Sequence, residues 1–303
     1  MFPYRVPEAK RLRLIVDTDA KNEADDQYAI AHALLTPRFQ IAGIVAAHFG
    51  ERRTQRSMEE SYEEIVKMVA LAERTSDVAV YRGAARALPD DGTPQPSEGA
   101  ELIVREAMKD DPLPLYAIFL GPLTDLASAY LMEPRIAGRL TAVWIGGGAY
   151  PDGEREFNLE NDIAAANVVF QSPIELWQVP RNVYTMMRAS LAELAVKVRP
   201  HGELGRYLFE QLEQFNRLPQ HGPAWPKGEM WALGDTPAVS LLIDDQPYDC
   251  DVVPAPFIRG DMRYEPRPDG RPIRVYRRVD ARFALEDLYA KLELFATGRR
   301  QTS

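Results

Sequence analysis

The sequence predicts an α/β fold, an open and mostly parallel sheet flanked by helices. Three observations carry that expectation. Short apolar runs of strand length recur along the chain, apolar positions at helical spacing follow each one, and glycine, proline or acidic residues separate the two. No clear linker, internal repeat or low-complexity tract divides the 303 residues, so residues 1–303 read as a single domain.

Each element has its own signal. Leu12 to Val16 is an apolar run ending in Asp17-Thr18-Asp19, and Ala29, Ile30, Ala33 and Leu34 then recur at helical spacing. Gln40 to Ala47 reads as a second strand, ending in His48-Phe49-Gly50. Met58, Tyr62, Ile65, Val69 and Ala72 form one stripe of a long helix. Val78 to Tyr81 is strand-like, and the prolines between Leu88 and Ser97 make that region a loop from which Ser97 caps a helix. Leu115 to Leu120 is the next strand, followed by a helix that stops before Pro134. Thr141 to Ile145 is closed by three glycines, Asp162 starts an alanine-rich helix, and Ile174 to Val179 is another strand. Residues 190–217 read as helical and 218–229 as a long loop. Asp235 is expected to cap a helix whose first turn holds Pro237. A last strand, Ile273 to Val279, precedes a leucine-rich helix.

Composition narrows the partners. The formal charge is −9, which disfavours nucleic acid or another polyanion. The one cysteine, Cys250, excludes an internal disulfide framework and suits a reducing compartment. No apolar stretch approaches the ~20 residues of a membrane helix, and the first residues lack the apolar core of a signal peptide. A cytoplasmic protein is the expectation, with no membrane partner.

The chemistry concentrates between Asp17 and Asp26. Two carboxylate pairs, with Glu23 between them, sit at the end of a strand and the start of the next helix, the edge where open α/β sheets bind ligands. Capping a helix takes one such residue. A crowd of them suits a hard cation with oxygen ligands, although a solvated acidic loop has the same composition. Zinc is disfavoured, since Cys250 stands alone and no histidine pair has ligand spacing.

The apolar strand, the Asp-Thr-Asp, the turn and the Asp-Asp pair resemble the N-terminal signature of nucleoside hydrolases of the inosine-uridine-preferring type, with a turn here longer by a couple of residues. Other segments match in order: Leu120 to Ala127, reading LGPLTDLA; the glycines before Ala149; Glu156-Phe157-Asn158 with Asp162; and Asp235 before an apolar helix. The resemblance implies a Rossmann-like nucleoside hydrolase fold, a homo-oligomer and a small nucleoside or ribosyl substrate. It implies Asp19, Asp26 and Asp235 as side-chain ligands of calcium, with the Thr124 carbonyl completing the set. It also implies Asp19 as general base, Asp25 on a ribose hydroxyl, and Glu156 and Asn158 on the far side of the sugar. Read without the resemblance, Thr124 is a turn residue and Glu156 and Asn158 belong to a surface loop.

Three positions depart from the family's pattern. Gly234 stands where a histidine can protonate the leaving base, Gly146 where a methionine is frequent, and Gly50 where an asparagine follows the second strand. His48, at a strand end, is a candidate replacement acid, or simply a hydrogen-bonded residue. His221, Trp225 and Trp231 are candidates to protonate or stack on the base, or packing residues in the case of the tryptophans. The reading that follows is a calcium-dependent hydrolase of an N-glycosidic bond. Its alternatives are a non-catalytic calcium- and sugar-binding module, and a haloacid-dehalogenase-type phosphohydrolase with Asp17 as nucleophile.

Overall fold

Every residue of the first strand is buried, and alternate side chains leave it in opposite directions. Leu14 and Val16 enter one hydrophobic cluster and Ile15 a second. A strand buried on both faces requires a layer of helices on each, and the computed structural model, which describes residues 2–218 and 228–300, has that architecture.

Strands β1 (Leu12–Thr18), β2 (Phe39–Ala46), β3 (Val80–Arg82), β4 (Leu115–Phe119), β5 (Thr141–Ile145) and β6 (Glu175–Val179) are parallel neighbours in the order β3-β2-β1-β4-β5-β6. Two short strands, β7 (Arg188–Ser190) and β8 (Met230–Ala232), pair antiparallel outside that sheet. Further on come β9 (Cys250–Pro254), β10 (Phe257–Ile258), β11 (Tyr264–Glu265) and β12 (Pro272–Tyr276). β12 adds parallel to β6, and β9 closes the edge antiparallel to β12, making eight strands in all. The order reverses between β1 and β4, so the loops leaving their C-terminal ends diverge and open a crevice.

The helices Asp26–Leu34, Ser57–Leu71, Gly202–Asn216, Thr236–Ser240 and Ala281–Arg300 cover one face. Glu98–Ala107, Thr124–Met132 and Ile163–Gln171 cover the other. Ser97 and Asp162 cap their helices as expected, accepting the amides of Ala100 and Ala165. The stretch 190–217 is two helices, Leu191–Lys197 and Gly202–Asn216, rather than one. Pro200 interrupts the hydrogen-bond ladder, and Gly202 takes a left-handed φ of 70° to restart it. Trp231 is a packing residue, fully buried with its ring edge-on to Phe215 at 5.5 Å. His221 and Trp225 lie outside the described residues. Among those described, no helix is long and apolar enough to cross a membrane.

Candidate active site

The end of β1 sets the first wall of the crevice. Thr18 donates to Asp26 Oδ1 at 2.5 Å, holding that carboxylate across the turn. The Asn22 amide closes a tight turn on the Asp19 carbonyl at 2.8 Å. Three side chains from elsewhere pin the rest of this long turn. Gln27 donates to the Ala20 carbonyl, Gln211 to the Ala24 carbonyl, and Arg53 to both the carbonyl and the side-chain oxygen of Asn22. Asp25 Oδ2 accepts the Gly234 amide at 2.9 Å, which ties the first turn to the segment after β8.

Asp235 occupies the N-cap position of Thr236–Ser240 but makes no side-chain cap bond, contrary to the expectation from sequence. Its carboxylate lines a cavity instead, and that cavity collects the acidic residues. One oxygen each of Asp25, Asp26 and Asp235 lie within 4.8 Å of one another. Asp19 lines the same cavity, pressed against Gly121 after β4, where an added Cβ would stand 3.1 Å from the Asp19 Cβ and Cγ. Burial raises the pKa of all four carboxyls, Asp25 to about 6, and mutual repulsion raises Asp19, Asp26 and Asp235 further. Asp19 Oδ2 is buried with no hydrogen-bond partner among the described residues. Buried, mutually repelling oxygens with an unsatisfied atom among them fit a hard divalent cation. The close trio contains Asp25, where the sequence pointed to Asp19.

The cavity encloses about 710 Å³, and Glu156 and Asn158 stand in its wall with the acidic cluster. Glu156 caps the short Phe157–Asn161 helix. Its Oε2 accepts the amides of Leu159 and Gly147, and its Oε1 accepts the Tyr184 hydroxyl at 2.8 Å. Asn158 donates both amide hydrogens inward, to the Leu120 and Ile145 carbonyls, so it ties the loops after β4 and β5 and keeps only its oxygen for a ligand.

His48 does not line the cavity. Its Nδ1 accepts the Gly50 amide, so Nε2 carries the proton and donates to Thr124 Oγ1 at 2.9 Å, and Thr124 in turn donates to Asp162 at 2.8 Å. Burial lowers the ring's pKa to about 4, so it is neutral at physiological pH. Thr124 is buried at the first position of its helix and is not among the cavity-lining residues. Asp17 is also sealed away. It is fully buried, repelled by Asp125 as well as desolvated, and does not line the cavity, so it is no accessible nucleophile for phosphoryl transfer.

The departures have steric causes. A Cβ on Gly146 would run into the Trp144 indole, and one on Gly234 would stand 2.9 Å from the Tyr184 ring. Gly50 has a left-handed φ of 74°. Sequence reasoning missed Tyr184 and the arginines Arg155, Arg181 and Arg188, all of which line the cavity. The available signal was position alone, since Arg181 and Tyr184 follow directly after a strand end.

Comparison with known proteins decides the family. The model of the inosine-uridine preferring nucleoside hydrolase family matches residues 14–286. The chain belongs to that family. Uridine nucleosidase 1 of Arabidopsis thaliana is 30% identical over 203 residues, 60% of either chain. The inosine-uridine preferring nucleoside hydrolase of Crithidia fasciculata is 28% identical over 165 residues, 50% of this chain and 49% of its own. The aligned stretches thus span about half of these relatives' lengths. The solved structure of a purine-preferring ribonucleoside hydrolase from Gardnerella vaginalis superposes with a TM-score of 0.76 at 19% identity, covering 94% of this chain and 99% of that one. The nucleoside hydrolase fold is therefore this chain's fold.

Proposed function

We propose that the chain is a calcium-dependent hydrolase of the N-glycosidic bond of a ribonucleoside or related N-ribosyl compound. The observation that carries the reading is the convergence of Asp25, Asp26 and Asp235, with Asp19 beside them, in a cavity that also presents Glu156 and Asn158. Such hydrolysis breaks the bond between C1′ and nitrogen, adds water at C1′ and passes through a cationic sugar. The reaction needs a base for the water and negative charge near the developing cation.

Asp19, with one buried oxygen free and its basicity raised by its neighbours, is suited to take the water's proton. Asp25 offers the oxygen not engaged by Gly234 to a ribose hydroxyl. Glu156, fixed by three donors, and the Asn158 oxygen hold the far side of the sugar. The bond's electron pair leaves with the base. Asp19, Asp26 and Asp235 would hold the cation, with Asp25 close by, while Thr124, the main-chain ligand that the resemblance implies, does not line the cavity. When bound, calcium would orient the diol and acidify water. A homo-oligomer and a cytoplasmic setting belong to this reading on the family resemblance and the single cysteine.

One observation favours a second reading, a non-catalytic sugar- and cation-binding module: the acid position is Gly234, packed against Tyr184. Incubating the protein with uridine and with inosine and separating products by chromatography decides between them. Free ribose with free base in equal amounts supports the hydrolase. Intact nucleoside over the full time course rejects it.

A further inference from the structure

The cavity carries charge of both signs. Asp19, Glu23, Asp25 and Asp26 come from the turn after β1 and Asp235 from the segment after β8, whereas Arg155, Arg181 and Arg188 come from the segments around Tyr184 and β7, which also bring Glu156 and Glu160. The three arginines are committed to different degrees. Arg155 is held bidentately by Glu160, with contacts of 2.8 to 3.2 Å. Arg181 reaches Glu154 at 3.5 Å and donates to the Arg155 carbonyl at 3.4 Å. Arg188 makes no side-chain hydrogen bond or ion pair among the described residues, and β-ladder geometry explains why it faces the cavity. It stands directly opposite Ala232, two residues from Met230 on the same face of the β7–β8 pair, and both of these line the cavity as well. Arg188 is exposed, and among the described residues it is the one cavity arginine with no acidic partner.

We propose that the N-ribosyl substrate carries an anionic group, which Arg188 receives, with Arg181 lining the same cavity. The inference rests on the hydrolase reading above for the sugar and for the charge that develops on it. Guanidinium groups match the oxygen pairs of phosphate and carboxylate, and a cation without an acidic partner in the same cavity as the acidic cluster orients a substrate that is cationic at one end in the transition state and anionic at the other. Two sources supply that chemistry: a phosphate on the ribose 5′ oxygen, or a carboxylate on the leaving base.

Calorimetry on the full chain with calcium separates them. Ribose 5-phosphate is compared with ribose, and orotate with uracil, at low and high salt, in the wild type, in Arg188→Gln and in Arg188→Lys. The expected result is that one anion binds at least about tenfold tighter than its neutral counterpart, the size of one charge-assisted hydrogen bond. That advantage falls in Arg188→Gln and at high salt, and Arg188→Lys keeps part of it. A gain with ribose 5-phosphate names the sugar phosphate, and a gain with orotate names the base. Equal binding of both pairs overturns the proposal. Hydrolysis of uridine, uridine 5′-monophosphate and orotidine in the same preparations tests the hydrolase reading separately. Release of ribose or ribose 5-phosphate without an anion advantage removes only this inference, and an anion advantage with all three compounds left intact removes only the hydrolase reading.

Discussion

Asp19 is where the chemistry and the packing meet. It sits against Gly121, where any larger side chain would displace it, and it shares repulsion with Asp25, Asp26 and Glu23. Asp19→Asn keeps the shape and removes the proton acceptor, so turnover is expected to fall ~10²–10⁴-fold from lost base catalysis, with the circular dichroism spectrum unchanged. A variant with near-normal turnover would show that the base lies elsewhere. Gly234 makes a different kind of point. Gly234→Ala puts a methyl group 2.9 Å from the Tyr184 ring and should cost about 1–3 kcal/mol of overpacking. Adding Tyr184→Ala makes room, so the double variant is expected to lose less stability than the two single losses combined. Strict additivity in urea unfolding would deny the contact.

At the scale of elements, the helix and strand pattern from Leu12 to Val179 was legible because buried parallel strands are unbroken apolar runs and their helices carry clear stripes. The Asp-Thr-Asp and Asp-Asp pairs marked the crevice for the same reason, since they end a strand and start a helix. The edge and hairpin strands after Ser190 were not legible. They are two to five residues long and half exposed, too short for periodicity to register. Nor does sequence spacing reveal partners made across the fold. Arg53 and Gln211 hold the turn that carries Asn22 and Ala24, yet they lie far from it along the chain. The same holds for His48, whose partner Thr124 comes from another strand–helix unit. Arg53→Ala frees Asn22 and loosens the turn between Asp19 and Asp25. Groups that orient ligands in this way are typically worth 10- to 100-fold in metal affinity, so calcium binding should weaken about tenfold. A titration that matches the wild type would show that the turn stands without Arg53.

Across the whole molecule, a buried polar network joins the first helix after β1 to the C-terminal helix. His32 bonds Asp287 at 2.7 Å, and Lys291 binds both Asp287 and Thr36. Burial lowers the His32 pKa to about 4, and Lys291, facing the same carboxylate, opposes a second positive charge. The unfolded chain, with an ordinary histidine pKa of about 6.5, then binds the extra proton first. Stability from a neutral His32 is complete above pH 6.5 and is lost as pH falls from there towards 4, by at most about 3 kcal/mol. Urea midpoints measured between pH 7 and 4.5 should show this decline, and His32→Gln, starting from lower stability, should flatten it. An equal slope in that variant would assign the acid sensitivity to other groups.

The acidic cluster and the family membership meet in one claim, that this cavity cleaves N-ribosyl bonds with a cation held by its carboxylates. Ribose release from uridine, followed in a single sample through removal of metal by a chelator and stepwise return of calcium, tests it most directly. The account predicts that release stops on chelation and recovers with a stoichiometry of one calcium per chain, while magnesium, which demands tighter octahedral geometry, restores less. Ribose release that continues undiminished in the chelated protein would contradict it.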